Sequence, residues 1–362
     1  MDRITTIRDL IGVIKDKVSL SKAALISEPS KLSLHQAVIK ATTHSPSTAP
    51  DYLSTLLSLG ESSRATASAL IQSLMNRLNR TRNASCLLTI HHILKRGPFI
   101  LQDQLSIFPS SGGRNYLKLS AFRDGATADT WALSAWVRWY ARYLETLISA
   151  SRVLGFLLCS SPWTAEKDKE EERVSSSMNT ELIRDVDSLV RVIEDMCEVP
   201  DSLLVEGNQL LQEVMGLLGG DYLSALNEVV LRLGEFKERL SYVSFGESVE
   251  LVCALKRLED CKERLVVFIT MKQPSTETLW GLIGELKDRI KMIDVDREAG
   301  KLVNIGSRRA ILRKAGGGGF WEATSVGYGV GNSRSKRGVG VIDMDWSNRT
   351  SPTSTHGTSF LR

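Results

Sequence analysis

Apolar residues recur along most of the chain at intervals of three and four. Leu182, Val186, Leu189, Val190, Ile193 and Met196 make one such stripe; Leu251, Leu255, Leu258, Leu265 and Phe268 belong to another. This spacing puts side chains on one face of a 3.6-residue repeat, as in a helix with one side turned inward. No run alternates apolar and polar residues as a half-buried strand would. The pattern predicts helices at roughly 4–26, 32–44, 51–60, 62–78, 81–95, 129–158, 179–198, 202–218, 221–243, 247–271 and 276–299. Prolines 29, 46, 50, 98, 109, 162, 200 and 274 fall between these segments, where a residue without an N–H does least harm. Ser62, Thr81, Asp129, Asp201 and the Ser275–Glu277 stretch stand where capping side chains are needed. Successive helices with short turns predict an all-α solenoid, each helix pair burying its stripe on the next.

Two stretches break the period. Residues 160–177 are Ser-rich and carry Glu166, Lys167, Asp168, Lys169, Glu170, Glu171, Glu172 and Arg173, which reads as a solvated connector. Eleven of the 27 glycines lie in 301–362, with Ser, Thr and Arg among them. Such a segment cannot offset its ordering entropy by burial, so a disordered tail is expected.

Charge sharpens this division. The whole chain is only +4, with 46 Lys+Arg and 42 Asp+Glu. Residues 1–160 hold 19 basic and 10 acidic side chains (+9), 161–300 hold 17 and 29 (−12), and 301–362 hold 10 and 3 (+7). The expected organisation is a helical domain over 1–300, made of a basic layer (1–160), a charged linker (161–178) and an acidic layer (179–300), followed by the tail at 301–362.

Several classes are excluded. Met1–Leu10 carries Asp2, Arg3, Arg8 and Asp9 and does not read as a signal peptide, so none is expected. The most apolar stretch, Leu144–Cys159, is interrupted by Glu145 and Arg152 and is too short to span a bilayer. Five cysteines without a Cys-x-x-Cys spacing read as reduced thiols of a cytoplasmic protein. Gly316–Gly319 precedes Phe320–Trp321 and lacks the Gly-Lys-Ser/Thr of a phosphate loop. His91 and His92 are adjacent, so on a helix they diverge by about 100° and cannot grip one metal from one face. One is expected toward the core and the other toward a groove. No catalytic residue, metal site or cofactor is expected, and nothing in the tail reads as a nucleic-acid motif.

What remains is chemistry of attachment. Ile4, Ile7, Ile11 and Ile14 recur at helical spacing beside Arg3, Arg8, Lys15, Lys17 and Lys22, the makings of a basic amphipathic helix that can lie in a membrane interface. Lys31, His35 and Lys40 follow near the start and along the next helix and would suit a phosphorylated headgroup.

The segment Ala37-Val-Ile-Lys-Ala-Thr-Thr-His44 resembles the second-helix signature of the ANTH domain of monomeric clathrin assembly proteins. Ile11–Lys22 resembles the first helix of plant members, Asp51-Tyr-Leu53 the start of the third, and Leu88–Leu94 the paired-histidine helix. Trp139–Leu144 resembles the arginine-tyrosine-leucine motif of the long middle helix, so the likeness runs in order over roughly residues 1–300. It implies a right-handed α-solenoid that binds inositol phospholipids, chiefly phosphatidylinositol 4,5-bisphosphate, and is not an enzyme. It also implies recruitment of clathrin and adaptors, sorting of vesicle SNAREs, and residence on plasma-membrane coated pits, clathrin-coated vesicles and Golgi membranes. Lys40 matches the lysine of the family's lipid site. The lysine-rich cluster expected just before Asp51 is missing, because Ser45-Pro-Ser-Thr-Ala-Pro50 carries no cation. The headgroup contacts are then expected from Lys40 with Lys31, His35, Lys22 and Arg96. The alternative is a soluble helical scaffold that has lost phosphoinositide binding. The tail contains no Asp-Pro-Phe, Asn-Pro-Phe or clathrin-box motif.

Overall fold

Every regular element among the described residues is helical. The computed structural model describes residues 17–18, 29–42, 49–108, 115–158, 167–200, 207–265, 277–293 and 295. The expectations for the amphipathic stretch at Ile4, Ile7, Ile11 and Ile14 and for the tail at 301–362 lie outside these residues.

The helices are α1 (Pro29–Ala41), α2 (Ala49–Glu61), α3 (Arg64–Thr81), α4 (Ala84–Arg96), α5 (Phe99–Ser106), α6 (Ala128–Leu154), α7 (Lys167–Ser176), α8 (Asn179–Cys197), α9 (Gln209–Arg239), α10 (Phe245–Asp260) and α11 (277–293). Helix packs on helix in the manner of a solenoid. The α1 helix lies on α2 and α3, and α3 on α5. Further along, α4 lies on α6, α6 on α8, and α8 on both α9 and α10.

The apolar stripes turn inward as their spacing requires. Leu182, Val186, Leu189, Val190, Ile193 and Met196 are fully buried, as are Leu251, Leu255, Leu258 and Leu265. Each such side chain contributes about 1.5–3 kcal/mol over an exposed one. On α6 an aromatic ladder of Trp136, Trp139, Tyr140 and Tyr143 joins this core. Trp139 Nε1 donates to the Asp195 carbonyl at 2.7 Å, fixing α6 on the end of α8.

Four departures from the periodic reading have local causes. Pro98 caps the N-terminus of a short helix, α5, rather than marking a plain turn. The true caps fall one or two residues from the expected ones: Ser63, Asn83 and Thr127 accept from backbone N–H groups in the first turns of α3, α4 and α6. Helix α6 ends at Gly155, whose φ of 79° suits only glycine well. Helix α9 runs unbroken through Gly219–Gly220, where two helices are predicted, because Gly220 makes room for a neighbour. A β-carbon there would stand 2.7 Å from Lys95 Nζ.

The stretch 167–176, expected as a solvated connector, is helix α7. It buries Val174 and docks on α9. Its Glu170 faces Arg173 and the fully buried Arg232, which also meets Asp185 at 3.2 Å and Glu228 at 2.5 Å. Burial pushes the Glu228 carboxyl above its ordinary pKa despite the adjacent guanidinium.

Candidate functional site

The Ala37–Thr42 motif is mostly an anchor. Ala37, Val38, Ile39, Ala41 and Thr42 are buried, and Lys40 alone remains partly open in the last turn of α1. Thr42 ties that end down. Its hydroxyl donates to the Val38 carbonyl at 2.6 Å and accepts from Arg77 Nε. Its own carbonyl accepts from Arg77 at 3.1 Å and from Asn83 Nδ2 at 3.4 Å. The end of α1, the end of α3 and the start of α4 are therefore joined, and the carbonyls left over at a helix terminus are satisfied. Lys40 Nζ lies 5.2 Å from the centroid of the Tyr52 ring, a cation–π contact that holds the ammonium at the α1–α2 edge.

The other expected cations do not converge on Lys40. His35 turns toward α3, its Nδ1 3.2 Å from Ser73 Oγ. Burial lowers its pKa, and Arg80 and Arg77 lower it further, so it brings no charge at neutral pH. Arg96 is exposed in the last turn of α4, the helix that packs on α6 and α9. Lys22 lies outside the described residues, and so does the Lys31 side chain. The cation group that sequence reasoning missed is Arg82, Arg123 and Arg138. These lie far apart in sequence and share no motif, so only the fold reveals them.

The paired histidines join the two charged layers. His91 and His92 are both buried on α4. His91 Nε2 lies 2.6 Å from Asp221 Oδ2 on α9, and its Nδ1 lies 2.8 Å from Tyr140 OH. Tyr143 OH and Lys95 Nζ each donate to the same carboxylate at 2.6 Å. His92 Nε2 meets Glu213, also on α9, at 2.8 Å. Burial alone would raise the Asp221 pKa, but the charges and hydrogen bonds of His91 and Lys95 outweigh it and bring it to about 2. An ionised carboxylate only accepts, so Nε2 of His91 carries a proton and the group serves as a strut.

Among the described residues no cluster of three His, Cys, Asp or Glu side chains could hold a metal, and no helix is long and apolar enough to cross a membrane. A stacked-helix scaffold whose polar interior ties helices together, with its open cations at helix ends, belongs to the class of helical binding modules.

A family model of the ANTH domain matches residues 33–271. A relative from Arabidopsis thaliana, "Putative clathrin assembly protein", is 52% identical over 298 residues, covering 79% of this chain and 82% of its own. A second of the same name and organism is 32% identical over 295 residues (77% and 84%), and a third is 28% identical over 296 residues (77% and 98%). The chain belongs to the ANTH-domain family.

Proposed function

We propose that the chain is a non-catalytic peripheral adaptor that assists clathrin-coat assembly on membranes bearing phosphatidylinositol 4,5-bisphosphate. The observation that carries this reading is the 52% identity, over most of both chains, to a relative named for clathrin assembly. Lys40 supports the lipid part: it is the open residue of a motif otherwise committed to packing. Residues 1–16, with Ile4, Ile7, Ile11 and Ile14, would add an interfacial helix, each nearby cation contributing about 1 kcal/mol at an acidic leaflet. The acidic layer would face the cytosol and suit a basic partner helix such as that of a vesicle SNARE.

Sedimentation with vesicles of phosphatidylcholine with and without the bisphosphate lipid tests this. Wild type is expected in the pellet only with the bisphosphate lipid, and Lys40→Glu or removal of residues 1–16 should weaken binding severalfold. Binding indifferent to both changes would sink the assignment. The cation-free segment Ser45–Pro50 favours a second reading, a scaffold that does not touch lipid. It requires wild type to stay in the supernatant while a tagged full-length chain still colocalises with clathrin.

A further inference from the structure

Three guanidinium groups from separate parts of the chain meet at Phe122. Arg82 ends α3 and sets its guanidinium over the Phe122 ring, 5.8 Å from the centroid. Arg123 donates to the carbonyls of Ser120 at 2.7 Å and Phe122 at 2.8 Å. Arg138, on α6, donates to the same Phe122 carbonyl at 2.9 Å. Arg82 and Arg123 are exposed and Arg138 is half-buried. Among the described residues, none of the three has a carboxylate within ion-pair distance. Arg142, one turn beyond Arg138, shows the contrast: it pairs with Asp195 at 3.0 Å and with Glu198. Asp124, next in sequence to Arg123, turns Oδ1 to the Ala126 N–H at 3.2 Å.

A single neutral carbonyl does not neutralise two cations, and a phenyl face adds little for a third. Burial and the nearby Arg123 charge together pull the Arg138 pKa below its ordinary value, the mark of a cation short of counter-charge. Guanidinium groups present several N–H donors in a planar fork, and clusters of them suit oxyanions, phosphate above all. Arg82 also takes the left-handed backbone conformation, φ 49°, usually given to glycine at a helix end, so this turn delivers a guanidinium where a side chain is commonly absent. The groove beside Arg138 carries Lys118 and Arg142 but also Glu145 and Glu198, so it adds no net cation and the uncompensated group is Arg82, Arg123 and Arg138.

Location identifies the source of the phosphate. Asn83, the residue after Arg82, donates to the carbonyl of Thr42, two residues beyond Lys40. The arginine group therefore shares one end of the helical stack with Lys40, in the +9 layer, and two of its three members are open to solvent. We propose that Arg82, Arg123 and Arg138 form a phosphate-binding site that takes the phosphorylated headgroup of a membrane lipid. They would replace the cations absent from Ser45–Pro50. For the source of the phosphate, though not for the chemistry, the proposal rests on the adaptor reading.

The test uses the full chain, the double variant Arg82→Gln/Arg123→Gln, and a control, Lys256→Gln/Arg264→Gln, that removes equal charge from the acidic layer. Vesicles of phosphatidylcholine with phosphatidylinositol 4,5-bisphosphate are one arm, and calorimetric titration with soluble inositol hexakisphosphate is the other. The double variant is expected to lose about tenfold in both arms, and the control to stay within about twofold of wild type. Arg82→Gln alone, which removes only the ring contact, should lose about threefold and guards against a folding defect in the double variant. Vesicle binding unchanged in the double variant, while Lys40→Glu weakens it, overturns the site and leaves the adaptor reading standing. Wild type that binds the soluble polyphosphate but no vesicle overturns the lipid assignment together with that reading.

Discussion

Replacing Asp221 by asparagine removes the charge that holds α4, α6 and α9 together and keeps the shape. The carboxylate has no solvent exposure and three donors at 2.6 Å, from His91, Lys95 and Tyr143. Folding takes its pKa from the ordinary 3.8 to about 2, equivalent to about 2.5 kcal/mol of stability. Because the folded value is the lower one, this stability is fully present above about pH 5 and drains away as pH falls through 4 toward 2. Asparagine also leaves Lys95 Nζ with the Leu217 carbonyl as its remaining partner here, and Lys95, a fifth exposed, recovers part of that loss from water. The expected cost at pH 7 is about 3 kcal/mol. Urea unfolding followed by far-ultraviolet circular dichroism measures it. The gap between wild type and Asp221→Asn should narrow by about 1 kcal/mol at pH 3. A variant within about 1 kcal/mol of wild type at pH 7, or a gap that holds from pH 7 to pH 3, would refute the strut.

Two further outcomes follow from packing. A β-carbon on Gly97 would stand 2.4 Å from the Ile93 carbonyl oxygen, which already accepts the Gly97 N–H at 2.9 Å. Gly97→Ala should therefore unwind the end of α4 and cost about 1–3 kcal/mol in the same unfolding assay. Cys253 is exposed while Cys86, Cys197 and Cys261 are buried, and the hydrogen bond with Cys261 together with burial pushes the Cys197 thiol up. Brief alkylation read by mass spectrometry should mark Cys253 in the native chain, and the other three only after unfolding.

Periodicity made the stripes legible: Leu182 to Met196 and Leu251 to Leu265 are buried in register with their spacing. It could not show α7, because Glu170 is held by Arg173 of its own helix and by Arg232 of α9, 62 positions away, rather than by a long apolar face. Gly219–Gly220 misled for the opposite reason. Glycine usually signals a break, but here it permits the approach of the Lys95 ammonium to α9. The histidine pair was legible as far as its divergence; the carboxylates that receive it come from residues 213 and 221. In the candidate site, Lys40 could be picked out by its motif. Arg82, Arg123 and Arg138 could not, since only the folding of the 115–127 segment against α3 and α6 assembles them.

The strut between α4 and α9 bears on how this chain could be divided. The boundary near residue 160, where the sign of the charge reverses, invites a cut that would release a basic fragment. Such a fragment would keep His91, Lys95 and Tyr143 and lose the single carboxylate they share. It would also expose the α6 ladder, whose Trp139 is bonded to a carbonyl of α8. Electrostatically the two layers are separable; as a folding unit they are not. The residues before the charge reversal depend for their shape on the residues after it.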